Sequence, residues 1–131
     1  GEMIQNKVMF KQFIENKSLD YCQIDSCRIA SINEIIPVLL MASKYNIPVI
    51  PHAGGVGLCE YVQHLNLINK FIITKNDLYL SEYAESCSEH FENPAIIEKG
   101  GYVTPTEPGY SVRIKESSLK EFDFNNGSYW N

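Results

Sequence analysis

The chain has 131 residues, a formal net charge of −5, and 11 Lys+Arg against 16 Asp+Glu. That length suffices for one domain with its own core, and the acidic balance excludes the basic face that nucleic acid or an anionic membrane surface requires. The expected partner is therefore a small molecule, with no nucleic acid and no membrane.

Before the first element, Gly1 to Lys7 lacks the charged and apolar regions of a signal peptide, and no run approaches the roughly 18 apolar residues of a membrane span. A soluble intracellular protein is expected, cytoplasmic or mitochondrial. Asn6 is placed to cap a first helix whose Phe10, Phe13 and Ile14 recur at helical spacing, ending near Asn16 to Ser18. A short strand, Tyr21 to Asp25, follows. A second helix carries the apolar stripe Ile35, Ile36, Leu39, Leu40 and Tyr45. Pro37 lies inside it without an N–H to bond four residues back. Asn33 is therefore the preferred cap over the Ser31/Glu34 capping box, because it brings Pro37 to the edge of the first turn.

Pro48-Val49-Ile50-Pro51 reads as a buried strand stub and leads into the loop His52-Ala53-Gly54-Gly55-Val56-Gly57, then a third helix from about Leu58 to Ile68. Phe71-Ile72-Ile73 reads as a third strand, apolar without alternation and so expected to be covered on both faces. The order α, β, α, β, α, β with short connections is that of an α/β protein with a parallel sheet. Beyond Thr74 the texture changes. Ala95 to Glu98 and Tyr102 to Thr104 flank Lys99-Gly100-Gly101 as a hairpin, Pro108-Gly109 marks a turn, and Glu116 to Phe122 holds the last helical repeat.

Cys22, Cys27, Cys59 and Cys87 form no CxxC pair, and His52, His64 and His90 have no zinc-site spacing, so four free thiols are expected. The chemistry of an α/β barrel lies at the C-terminal ends of its strands. There the chain offers Asp25, His52 and, some residues past Ile73, Glu82. An Asp-His dyad facing a further acid would suit proton transfer, the carboxylate orienting the ring and the ring moving the proton. The alternative is an Asp25 that caps its own turn, a loop-bound His52 and a solvated Glu82. The glycines at 54, 55 and 57 lack the Lys-Ser/Thr ending of a P-loop, which leaves them a conformational role beside His52.

Gln23-Ile24-Asp25 with Arg28 and Asn33-Glu34, the run Pro51-His52-Ala53-Gly54-Gly55-Val56-Gly57-Leu58-Cys59-Glu60, and Val62-Gln63-His64-Leu65 closely resemble the L-fuconate dehydratase family, in the mandelate racemase subgroup of the enolase superfamily. The resemblance continues through His90-Phe91, Pro94, Tyr102, Pro105, Pro108-Gly109-Tyr110-Ser111 and Trp130. It implies the C-terminal part of a (β/α)7β modified TIM barrel over residues 1–92, then a hairpin and tail over 93–131 that pack near a capping domain. It also implies Mg2+ as cofactor, with Glu2 as one metal carboxylate, Asp25 and His52 as the dyad, and Glu82 as a substrate-facing acid. Asp25 is expected within hydrogen-bonding reach of His52. The implied reaction is dehydration of an acid sugar, L-fuconate to 2-keto-3-deoxy-L-fuconate, or of another acid sugar; the other reading is a non-catalytic remnant. Full-length relatives are expected to be homo-oligomers. A Lys-x-Lys strand end, two further metal carboxylates and the capping domain would precede this segment, so the chain by itself is expected to be inactive.

Overall fold

The computed structural model describes residues 1–74 and 79–130. Four helices dominate: α1 (Lys7–Glu15), α2 (Ile32–Lys44), α3 (Leu58–Ile68) and the short α4 (Glu116–Phe122). Among the described residues the only paired strands are the two-residue β1 (Ile97–Glu98) and β2 (Gly101–Tyr102), so no complete barrel is present.

Helix α1 begins as its sequence demands, with the Asn6 side chain accepting from the Met9 amide. A second cap comes from another helix. Glu34 accepts from the Lys7 backbone amide at 3.1 Å and from Lys7 Nζ at 2.6 Å, and this pairing holds its carboxyl below the usual carboxylate range. That use of Glu34 bears on α2, which starts at Ile32 with Ser31 as its cap residue and not at the expected Asn33. The Ser31 side chain makes no capping bond, and its carbonyl accepts from the Glu34 and Ile35 amides. Pro37 consequently sits in the second turn, where the Asn33 carbonyl loses its usual donor. Burial of Ile35, Val38, Leu39 and Ala42 outweighs that loss.

Two extended segments lie parallel around the Cys22–Val49 bridge. The Cys22 amide donates to the Pro48 carbonyl, the Ile50 amide to Cys22, and the His52 amide to Ile24 at 2.8 Å. This ladder is a β-α-β unit with α2 as its crossover. It runs in register until Asp25 and His52 emerge side by side at its C-terminal end. Phe10, Cys22, Ile24, Ile35, Leu39, Val49 and Leu65 form the main core beneath it.

The third expected strand is not a strand. Phe71-Ile72-Ile73 belongs to a π-helical extension of α3, Asn69–Thr74, closed by the Thr74 hydroxyl donating to the Asn69 carbonyl at 2.8 Å. Nor are its faces covered, for Phe71 and Ile72 are 64% and 71% exposed. An apolar triplet carries no period that separates strand from helix. Continuing the helix satisfies these backbone groups without a neighbouring strand.

The hairpin forms where expected. Lys99 (φ 53°) and Gly100 (φ 79°) both take left-handed conformations, the pattern of a two-residue type I′ turn. All four cysteines are free, Cys22 and Cys59 buried, Cys27 and Cys87 exposed.

Candidate active site

His52 is the hub. The ladder holds its backbone, and its ring, 12% exposed, meets three carboxylates. Nδ1 lies 3.0 Å from Glu82 Oε2 and 3.1 Å from Glu2 Oε2, while Nε2 lies 3.9 Å from Asp25 Oδ2. The four residues singled out in the sequence thus converge on one point. Glu2 reaches it from a turn in which the Ile4 amide bonds the Gly1 carbonyl, and a Cβ added at Gly1 would meet the Gln23 carbonyl at 3.3 Å.

The Asp25–His52 separation of 3.9 Å exceeds a hydrogen bond, unlike the contact expected of a dyad. The Asp25 carboxylate is instead committed to nearer donors. Oδ1 accepts from the Cys27 amide at 2.7 Å, and Oδ2 pairs with Arg28. Asp25 is 2% exposed, and a polar group so far from water needs such partners to offset the cost of its burial. It therefore combines both sequence readings, closing its own turn and facing the ring.

Glu82 is held more firmly than a solvated surface acid would be. Its Oε2 accepts from the Ala53 amide at 2.6 Å, from Gln23 Nε2 at 3.3 Å and from His52 Nδ1 when that nitrogen carries the proton. Its carbonyl accepts from the Tyr102 hydroxyl at 2.7 Å. Sequence reasoning missed Arg28 as the partner of Asp25, although a three-residue spacing within a turn is a usable signal. Tyr102 has no local signal at all, since it lies 20 residues beyond its partner.

Gly54 has a definite steric role. A Cβ built there would meet His52 Cε1 at 2.7 Å, closer than non-bonded carbons approach. Gly57, the residue before α3, is left-handed (φ 76°), and a Cβ there would press on the Phe91 ring at 3.1 Å. Both glycines are needed for space or backbone angle, which accords with their conformational reading.

Hard oxygen donors suit Mg2+, which favours six ligands. Glu2, Asp25 and Glu82 offer such oxygens, but the last two are committed to Cys27 and Arg28 and to Ala53. Among the described residues no group of three or more His, Cys, Asp or Glu could hold a metal ion. By themselves the described residues do not make a magnesium site. No helix among the described residues is long and apolar enough to cross a membrane.

A β-α-β unit with acid and imidazole at adjoining strand ends, followed by a glycine-rich turn into a helix, is the arrangement of an α/β protein with its site at the strand ends. Residues 1–118 match the Enolase C-terminal domain-like family, and the chain belongs to it. It is 50% identical over 131 residues to mitochondrial enolase superfamily member 1 of Xenopus laevis, covering 99% of this chain and 29% of that protein. With L-galactonate dehydratase of Hypocrea jecorina it shares 48% identity over 124 residues, 95% of this chain and 27% of that one. The crystal structure of human mitochondrial enolase superfamily member 1 superposes with a TM-score of 0.93 at 46% identity, covering 99% of this chain and 30% of the human one. An L-talarate dehydratase from Polaromonas, solved with Mg and L-glucarate, has the same fold over 89% of this chain and 30% of that one, with a TM-score of 0.72 at 20% identity. The chain spans about 30% of the length of the relatives it matches.

Proposed function

We propose that this chain is the C-terminal part of an acid-sugar dehydratase, and that it contributes the acid/base His52, its positioning partner Asp25 and the substrate-facing Glu82. The observation that carries the proposal is the convergence of three carboxylates on one imidazole at the C-terminal end of a parallel ladder. An imidazole can hold and deliver a proton near neutral pH. His52 then protonates the hydroxyl that leaves from the carbon next to the one deprotonated by a base in the part of the fold outside this match, and Asp25 closes on the ring from its 3.9 Å separation when substrate is bound. Glu82, with its Ala53 and Gln23 contacts, accepts from a substrate hydroxyl. Mg2+ supplies charge stabilisation for a carboxylate-bearing substrate when bound. Glu2 is one ligand toward it, and the remaining ligands belong to the part of the fold outside this match.

The substrate proposed is L-fuconate, converted to 2-keto-3-deoxy-L-fuconate. L-Galactonate, named in the fungal relative, has the same configuration with one more hydroxyl and is the neighbouring choice. The complete fold is proposed to be a homo-oligomer in the cytosol or mitochondrion, with residues 93–131 against the capping domain.

The test is a chimera that joins the preceding part of the Xenopus relative to Gly1. The isolated chain should show no Mg2+-dependent dehydration of L-fuconate, the chimera should gain it, and His52→Asn in the chimera should abolish turnover while leaving the fold intact. Turnover by the isolated chain, or normal turnover by the His52→Asn chimera, would each overturn a separate part of the reading. A non-catalytic chain predicts a folded but inactive chimera.

A further inference from the structure

Glu82 reaches the site from a segment without regular structure, so something outside that segment has to fix it. The nearest candidate is the hairpin. We infer that Tyr102, on β2, is a positioning residue that latches the Glu82 segment onto the His52 loop. The inference rests on the reading of Glu82 as the substrate-facing acid, but the latch can be tested without turnover.

Three contacts tie the hairpin region, the Glu82 segment and α3 to one another. The Tyr102 hydroxyl donates to the Glu82 carbonyl at 2.7 Å. Two residues on, the Ala84 carbonyl accepts from the buried Cys59 Sγ at 3.2 Å, the same sulfur lying 3.8 Å from the Ala53 carbonyl. At the other end of the hairpin, the Ala95 amide donates to Glu60 Oε1 at 3.2 Å, and Glu60 is a buried acid on α3. Ala95 and Tyr102 also pack on the small core of Ala53, Cys59 and Val62. The hairpin is thus clamped to α3 at one end and to the Glu82 segment at the other.

The hydrogen bond is directional as well as short. Burial pushes the Tyr102 hydroxyl up from its ordinary value, so it remains a protonated donor. Its acceptor is the backbone of Glu82, not the side chain. It therefore sets where the Glu82 side chain starts, and Oε2 then meets the Ala53 amide at 2.6 Å. Ala53 directly follows His52, so the latch fixes acid and imidazole relative to one another. Tyr83 stacks edge-on against Tyr102 with centroids 5.8 Å apart and limits rotation of the segment about the latch.

The experiment follows the Ala53 amide by NMR hydrogen exchange in the full chain. Tyr102→Phe removes only the hydroxyl, and exchange at Ala53 should rise about fivefold, the equivalent of one intramolecular hydrogen bond, while the amides of α2 keep their protection. In a Glu82→Ala background the same substitution should add nothing at Ala53, because the route through Glu82 is already gone. Unchanged exchange in Tyr102→Phe, or an equal rise in the Glu82→Ala background, would overturn the inference. If Tyr102→Phe also unprotects α2, 3-fluorotyrosine at position 102 decides. Its more acidic hydroxyl is the stronger donor and should slow Ala53 exchange; unchanged or faster exchange refutes the latch. An Ala53 response alongside an inactive chimera would keep the latch and discard the dehydratase reading.

Discussion

Gly54→Ala tests whether the loop glycine exists to make room for the His52 ring. The added methyl would stand 2.7 Å from His52 Cε1 and 3.2 Å from Nε2. To restore ordinary contact the ring has to retreat by about 0.7 Å. The three nearest atoms to that Cβ all belong to the His52 ring, so the ring gives way and the fold does not. The cost should lie at the low end of overpacking, about 1 kcal/mol, which lowers the melting temperature by roughly 3–5 °C for a chain of this size. Retreat on that scale also breaks the 3.0 Å and 3.1 Å contacts of Nδ1 with Glu82 and Glu2. Thermal unfolding by circular dichroism gives the first quantity, and the His52 ring resonances in a proton–carbon spectrum give the second. The decisive control is His52→Ala, in which the collision partner is gone and Gly54→Ala should cost nothing further. An equal loss of stability in both backgrounds, or unshifted ring resonances, would refute the reasoning.

Arg28→Met should destabilise the chain by about 2 kcal/mol in urea, less than for a fully buried pair because Arg28 is 39% exposed while Asp25 is 2%; most of that loss should vanish in an Asp25→Asn background, and a loss that persists there would show that Arg28 acts through packing. Thiol titration of the native chain should find Cys27 and Cys87 reacting fast, with all four thiols counted after denaturation without reductant; fewer than four would indicate disulfides. Burial pushes the Cys22 thiol up from 9.0 to about 12, so between those values the unfolded chain releases a proton that the folded chain keeps. Below pH 9 this contribution is constant, and above it stability should fall by about 1.4 kcal/mol per pH unit, a slope that Cys22→Ala should remove. Lys99→Asn suits the left-handed first position of the hairpin turn and should slow exchange of the Val103 amide, bonded to Ile96 at 2.8 Å, by about two- to fivefold; faster exchange would contradict the turn assignment.

Helical spacing in the sequence determined α1, most of α2 and α3, and the turn residues determined the hairpin, because these signals are local: a cap within three residues, a 3.6-residue period, and residues that tolerate positive φ. Asp25 and His52 were legible for the same reason, since each ends a short apolar stretch and the rule that places chemistry at strand ends needs no knowledge of the partner. Glu2 was different. Nothing near residue 2 distinguishes it from a frayed terminal acid, and only the resemblance pointed to it.

Tertiary structure decided the rest. Ser31 and not Asn33 caps α2, and Glu34 in its first turn reaches across to cap α1 through Lys7, a contact spanning 27 residues. Phe71-Ile72-Ile73 continues a helix, because an apolar triplet is locally ambiguous and its form depends on whether a strand lies alongside to accept its hydrogen bonds. Asp25 turns to Arg28 and Cys27 more closely than to His52, with the Cys27 amide at 2.7 Å and the ring at 3.9 Å, a choice that only the folded turn settles. The grip of Tyr102 on Glu82 joins segments with no shared periodicity. Burial and pairing across long loops are set by the whole packed chain, and no window of neighbouring residues contains them.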